Sequence, residues 1–279
     1  MDTLKRMSNY SFIFILGVVV VLPILYIGLH SLKGEVLITQ LYTQDQPSIW
    51  YRIIVKPFYI NLDQYYKVFF RTPKFLYMFW NSLSIVLPIV IGQVAIGALA
   101  AYGFAKMKFP GSEKLFFFYI VMMLMPFQVT MVPNFIMLSN MKLLGSNLSL
   151  ILPGVFNTFS VFFLKQFMEQ IDNAFIEEGK LLGASELQIL RYIIFPMCKP
   201  IITAVIVFIF VEYWSMVEQP VVFIMEATKY PLSVYLGSIT GDKIGIGFAC
   251  SILYMILPIF LVLYTQNDLS DGLKITSLK

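Results

Sequence analysis

Charge is what this sequence has least of. Only 13% of its 279 residues are Asp, Glu, Lys or Arg, where a soluble domain carries about 25%. There is a single histidine, His30, and there are two cysteines, Cys198 and Cys250. A metal site needs several ligands together, and nothing here clusters around that histidine. No nucleophile, base and orienting group fall into a recognisable set. Two cysteines in separate segments give no disulfide framework, and both read as small apolar residues. A phosphate-binding loop of the form Gly-x-x-x-x-Gly-Lys-Ser/Thr is missing, and the nearest glycine cluster, Gly241 to Gly247, reads as a flexible turn. The net charge of +4 is scattered over short polar segments. No cationic stripe is interleaved with aromatics, which removes nucleic acid as a partner.

Hydrophobic residues make up 58% of the chain, and the mean hydropathy is +0.78. The apolar runs are too long and too many for a water-soluble core. A membrane-spanning helix needs about 20 predominantly apolar residues, and six stretches qualify, at about 11–32, 76–104, 115–138, 148–168, 200–225 and 244–265. Several contain proline (Pro23, Pro88, Pro126, Pro133, Pro153, Pro258), which a helix bundle in lipid accommodates when neighbours satisfy the released backbone groups. The first run follows Lys5 and Arg6 like a signal peptide, but no small-residue cleavage site follows it. It reads as a retained first helix.

The basic residues predict orientation. Lys5, Arg6, Lys106, Lys108, Lys114, Lys165, Lys180, Arg191, Lys199, Lys274 and Lys279 fall on one side, against Lys142, Lys229 and Lys243 in the two short connections opposite. The positive-inside rule therefore places the larger set, and both termini, in the cytoplasm. The long connection of about residues 33–75 then lies outside. Its aromatics, including Trp50, Tyr51, Phe58, Tyr65, Tyr66 and Phe69, read as an interfacial belt or as a docking surface for an external protein. His30 reads as interfacial. In the second run Gly97, Ala101 and Ala105, with Gly92, Ala98 and Gly103 nearby, form a small-residue face that lets helix backbones approach closely.

The cytoplasmic stretch from about Glu169 to Pro200 is not a plain linker. Asp172 is placed to cap a short helix running to Leu182, and Gly183 breaks it. Ser185 and Gln188 have the spacing of a capping box for a second short helix, which Pro196 and Pro200 end. A helix–turn–helix of this size cannot bury both its faces alone. Glu177-Glu178-Gly179, Gly183-Ala184-Ser185 and Arg191 through Pro196 resemble the EAA loop of ABC importer permeases. That loop has a glycine six residues after its glutamate and a proline thirteen beyond. Here Gly179 stands for the second alanine, Glu178 for the first, and Leu182 for a frequent aspartate.

The resemblance continues through Asn81-Ser82-Leu83, the run from Ala101 to Gly111, Met125-Pro126, Val132-Pro133 and Leu150 to Gly154. These are similar to the carbohydrate-importer subfamily, and to the second permease subunit of maltose-type transporters in particular. It implies an all-α, type I importer permease fold, with residues 1–74 as the first helix and outer loop and 75–279 as the permease domain. It also implies a bacterial or archaeal inner membrane, a second permease, an ATPase dimer and an extracytoplasmic solute-binding protein. No cofactor is then expected on this chain; ATP and Mg belong to the partner ATPase. The loop residues Glu177, Glu178, Gly179, Gly183, Ala184, Ser185, Arg191 and Pro196 become the ATPase-coupling set.

Polar groups inside apolar spans are costly and are often functional. Gln128 and Asn134 in the third run, Asn157 in the fourth, and Glu212, Trp214 and Glu218 in the fifth are the candidate solute path. Thr130, Thr158, Ser160, Tyr213 and Gln219 lie among them, and interhelical hydrogen bonding is the competing role. The solute is expected to be a sugar or oligosaccharide, with glycerol-phosphate as the alternative. An anion would call for external arginines and lysines lining the path, a cluster that the sequence does not locate. A stand-alone secondary transporter would show inverted repeats, and a membrane enzyme would show catalytic clusters at the interface.

Overall fold

In lipid an apolar run must satisfy its own backbone, so it folds as a helix. The computed structural model describes residues 2–34, 37–38, 41–42, 60–71 and 73–277, and the regular structure among them is helical. Trp50, Tyr51, Phe58 and Lys279 lie outside these described residues. In chain order the elements are α1 (Asp2–Ser31), α2 (Asp63–Tyr66), a π-helical turn (Lys67–Arg71), α3 (Pro73–Lys106), α4 (Ser112–Met123), α5 (Phe127–Asn140) and α6 (Leu148–Val155). Then follow α7 (Phe159–Glu169), α8 (Ala174–Leu181), α9 (Glu186–Met197), α10 (Lys199–Trp214), α11 (Glu218–Phe223), α12 (Leu232–Gly237) and α13 (Ile244–Ser277).

Among the described residues, four segments are long and apolar enough to cross a membrane, namely Tyr10–Ser31, Pro73–Lys106, Leu148–Glu169 and Ile244–Asp268. Two bent pairs raise the number to six if each is one span. The expected unbroken third run is one of them, because α4 and α5 meet at 100°. Pro126, extended at ψ 146, stands at that corner. Pro23, Pro88, Pro133, Pro153 and Pro258 all lie inside helices. The expected fifth run of 200–225 is also corrected: α10 stops at Trp214 and α11 is a separate short helix.

The chain forms two compact units. One holds residues 78–234 with 258–279. In it the small-residue face of α3 is answered by α6 and α7. A Cβ on Gly97 would collide with the Ser160 hydroxyl, one on Gly92 would stand 2.6 Å from Val155, and one on Gly154 3.0 Å from Ile89. The Ser160 hydroxyl donates to the Gln93 carbonyl at 2.9 Å across the same seam. Interhelical bonding is thus the role of Ser160. Asn81 and Ser82 tie the other end of α3 to the segment before α12. The Asn81 amide donates to the carbonyls of Thr228 and Tyr230, and the Leu232 N–H donates to the Ser82 hydroxyl at 2.8 Å.

The second unit holds residues 1–77 with 235–257. His30 is buried here rather than presented to an interface. Its ring lies 4.0 Å from that of Tyr26 and 5.3 Å from that of Phe248, and its Nδ1 donates to the Tyr26 carbonyl. The glycine cluster is more than a flexible turn. A Cβ on Gly245 would sit 2.5 Å from the Gln64 amide, so that position holds a close approach.

Candidate functional site

Residues 169–200 fold as the expected helix–turn–helix, and its chemistry is that of two helix ends. Asn173 is the N-cap residue of α8, and Asp172 accepts the Ala174 N–H at 3.0 Å, so the expected cap is displaced by one residue into a turn. At the far end Gly183 adopts φ +81. Its N–H donates to the Lys180 carbonyl, and the Ala184 N–H donates to the Gly179 carbonyl at 3.0 Å. That pair of bonds is a Schellman stop, which favours glycine at its left-handed position. Ser185 and Gln188 close the capping box on α9 reciprocally. Gly179 is buried, and a Cβ there would lie 3.1 Å from both Ile189 and Ile193, so α8 seats closely on α9.

Pro196 does not end α9. It sits within Phe195–Met197, just after a π-helical turn at Leu190–Ile194. The wider turn accompanies the donor that proline lacks. The chain turns at Cys198 instead, and α10 leaves at 81° with Pro200 in its first turn. Arg191 and Pro196 face solvent, with the Arg191 guanidinium 5.5 Å from the Tyr192 ring centre.

The hairpin is held from one helix. At 34 residues, α3 is about 50 Å long, more than a hydrocarbon core of about 30 Å requires. Its last turns reach the hairpin. The Tyr102 hydroxyl donates to Glu186 at 2.6 Å, and Lys180 pairs with the other oxygen of that carboxylate at 2.6 Å. Lys106 donates to the Ile171 carbonyl at 2.5 Å and to the Asn173 amide oxygen at 2.9 Å. Lys180 first, and Tyr102 second, hold the Glu186 carboxyl below the usual carboxylate range. The opposite face is bare. Leu181 and Leu182 are 87% and 89% exposed, with Leu187, Tyr192, Glu177 and Glu178 exposed around them. The sequence does not reveal Tyr102 and Lys106 as hairpin contacts, although both belong to the motif that closes the second run.

A second arrangement lies in the same unit. A cavity of about 450 Å³ is lined by residues around three helix breaks. Met123, Met125 and Phe127 come from the corner between α4 and α5. Phe156, Asn157 and Thr158 are the interruption between α6 and α7, while Glu212, Tyr213 and Gln219 flank the interruption between α10 and α11. Irregular backbone at membrane depth is tolerated only where protein buries it or where it lines a cavity. Of the expected path residues, Asn134, Asn157 and Glu212 meet here, joined by Thr130, Tyr213 and Gln219. Asn157 donates to the Tyr213 hydroxyl at 3.2 Å and accepts the Phe159 N–H at 2.9 Å. Gln128 and Glu218 are not among the lining residues; they bond to each other at 2.9 Å. Trp214 is buried against Phe79 and stacks on Phe210, away from the lining.

A multi-pass helical membrane protein, with a polar cavity among broken helices and an exposed hairpin held by the long unbroken α3, is of the class of transport permeases. A family model, "binding-protein-dependent transport system inner membrane component", matches residues 93–267, and the chain belongs to that family. It is 30% identical to a probable ABC transporter permease protein of Pyrococcus horikoshii over 69% of this chain and 72% of the relative. It is 26% identical to the polygalacturonan/rhamnogalacturonan transport system permease protein of Bacillus subtilis, over 85% of this chain and 79% of that one. Its fold matches that of a bacterial ABC transporter involved in the import of the acidic polysaccharide alginate. The TM-score is 0.81 and the identity 19%, over 96% of this chain and 97% of the other. The protein is thus an ABC importer permease, a multi-pass component of the inner membrane.

Proposed function

We propose that this chain moves a sugar or oligosaccharide inward by alternating access, driven by ATP hydrolysis on partner subunits. Its likeness to a polygalacturonan/rhamnogalacturonan permease supports the carbohydrate class. The single observation behind the coupling is the two-faced hairpin. One face is bonded to Tyr102 and Lys106, and the other offers Leu181, Leu182, Glu177 and Glu178 to solvent. Apolar side chains so exposed want a partner, and the carboxylates suit basic residues on it.

In this reading residues 169–200 dock on an ATPase in the cytoplasm, with both termini on the same side, as the basic residues favour. Closure of the ATPase dimer pushes the hairpin as a rigid body. α3 carries that push into the bundle through Tyr102 and Lys106. Residues 75–279 act as the permease domain, paired with a second permease and fed by an extracytoplasmic binding protein. ATP and Mg reside on the ATPase, and this chain holds no cofactor. Asn134, Asn157, Glu212 and Tyr213 meet the hydroxyls of the solute.

The test is co-purification in mild detergent. Glu177→Lys combined with Leu182→Asp is expected to insert normally but to recover little of the ATPase. Wild-type recovery, with undiminished solute-stimulated hydrolysis, rejects the docking role.

A further inference from the structure

A concavity of about 700 Å³ in the unit formed by residues 1–77 and 235–257 is lined by Arg71, Lys74 and Lys243. Its other lining includes the hydroxyl residues Tyr235, Ser238 and Thr240. No described lining residue is a carboxylate. None of the three cations makes an ion pair among the described residues. Each is exposed, and two are steadied on rings, Lys74 at 5.0 Å from the Tyr235 centre and Arg71 at 5.9 Å from that of Tyr66. Lys243 lies far along the chain from Arg71 and Lys74, which is why the sequence does not reveal the cluster.

We propose that this concavity is an oxyanion-binding vestibule, and that the solute it admits carries a carboxylate or a phosphate. Three cations around one hollow repel one another, and an anion relieves that repulsion and is drawn in by their summed field. The volume lies within the range of small-ligand sites, about 300–1,000 Å³, and the hydroxyls suit a saccharide. A concave wall with hydroxyls fits a small solute better than the flatter face of a docked protein. The inference rests on the orientation proposed above, which puts the loop of about residues 33–75 and the short connection bearing Lys229 and Lys243 outside, and it deepens that reading by naming the charge of the cargo.

The experiment uses the assembled transporter in phosphatidylcholine nanodiscs, with trigalacturonate and glycerol-3-phosphate as probes and methyl-esterified trigalacturonate as the neutral control. At least one anionic probe is expected to bind, more weakly as salt rises, and the neutral control is not. Arg71→Gln, Lys74→Gln and Lys243→Gln should each weaken that binding by about tenfold or more, the scale of a charge-assisted hydrogen bond. Equal binding of the neutral ester overturns the proposal. So does the failure of both anions to bind, or an unchanged affinity in the triple variant. Loss of probe binding when phosphatidylglycerol is added assigns the hollow to lipid headgroups and overturns it too. So does loss of binding-protein docking in the triple variant. ATPase recovery is measured on every sample. Its loss in the unmodified protein would mark a failure of the proposed hairpin docking and orientation, and its retention isolates the vestibule.

Discussion

The hairpin and the cavity are both built from interrupted helices, and they use the interruptions in opposite ways. In the hairpin, the stop at Gly183 and the box at Ser185 satisfy the local backbone within the motif, and apolar side chains are turned outward. In the cavity, the breaks at 124–126, 156–158 and 215–217 bring polar groups inward from separate segments. A self-contained break makes a rigid piece that can be pushed. A cavity shared among three breaks makes a space whose shape depends on how the pieces are set. The contrast predicts that damage to the hairpin leaves solute affinity intact while abolishing turnover, and that damage to the cavity does the reverse.

The largest effect is expected at Gly183. Nothing stands within 4 Å of a Cβ there, so space is not the constraint; φ +81 is. A left-handed residue other than glycine costs about 1–2 kcal/mol, and Asn tolerates the conformation better than most. Gly183→Arg should insert and assemble but show almost no uptake, with Gly183→Asn intermediate. Wild-type uptake by the Arg variant removes the hairpin from the mechanism. Equal loss in Asn and Arg locates its importance in the docked surface rather than in the turn.

Next in size is the grip. Hydrogen bonds to charged groups contribute about 1.5–3 kcal/mol when desolvated, and the partial exposure here reduces that. Tyr102→Phe with Lys106→Met should leave ATPase recovery unchanged and lower the solute moved per ATP hydrolysed several-fold. If recovery and coupling fall together, α3 is a scaffold for the hairpin and not its transmission.

The two regions were unequally legible in sequence for a physical reason. Glu177, Gly183 and Pro196 stand at fixed offsets along one short segment, and local backbone geometry dictates glycine and the capping pair there. The cavity has no such local rule. Hydropathy measures whether a run can sit in lipid, not its direction, so the 100° corner at Pro126 was hidden inside one apolar stretch. Hydropathy for the same reason groups Glu218 with Glu212 and Trp214, although α10 ends at Trp214. Asn81, Ser82, Tyr102 and Lys106 were visible as motif residues without a task, because their partners lie 65 to 150 positions away.

Cavity variants should give the complementary result at smaller size. Asn157→Ala removes the bond to Tyr213 and an N–H acceptor at the 156–158 break. Glu212→Gln keeps the shape and replaces the carboxyl group with an amide. Each should raise the KM of uptake by about tenfold, one polar contact's worth, with ATPase recovery and basal hydrolysis unchanged. A fall in maximal rate at unchanged KM would mean that these residues belong with the lever, and the contrast between the regions would fail.

The smallest effect concerns pH and separates charge from geometry within the grip. The folded Glu186 carboxyl is held below its ordinary value, so its contribution is complete above the unfolded carboxylate pKa of about 4.3. It fades as pH falls through the lower folded value. Lys180 and Glu186 are partly exposed, so screening keeps the contribution within about 1 kcal/mol. A fluorophore on Leu182→Cys reads hairpin mobility, and labelling is selective because Cys198 and Cys250 are buried. Anisotropy should step down on acidification below about pH 4. Glu186→Gln, which has no carboxylate to protonate, should lack that step and start from the looser level. An identical step in both proteins would assign the acid response elsewhere and leave Tyr102 and Lys106 as the whole of the grip.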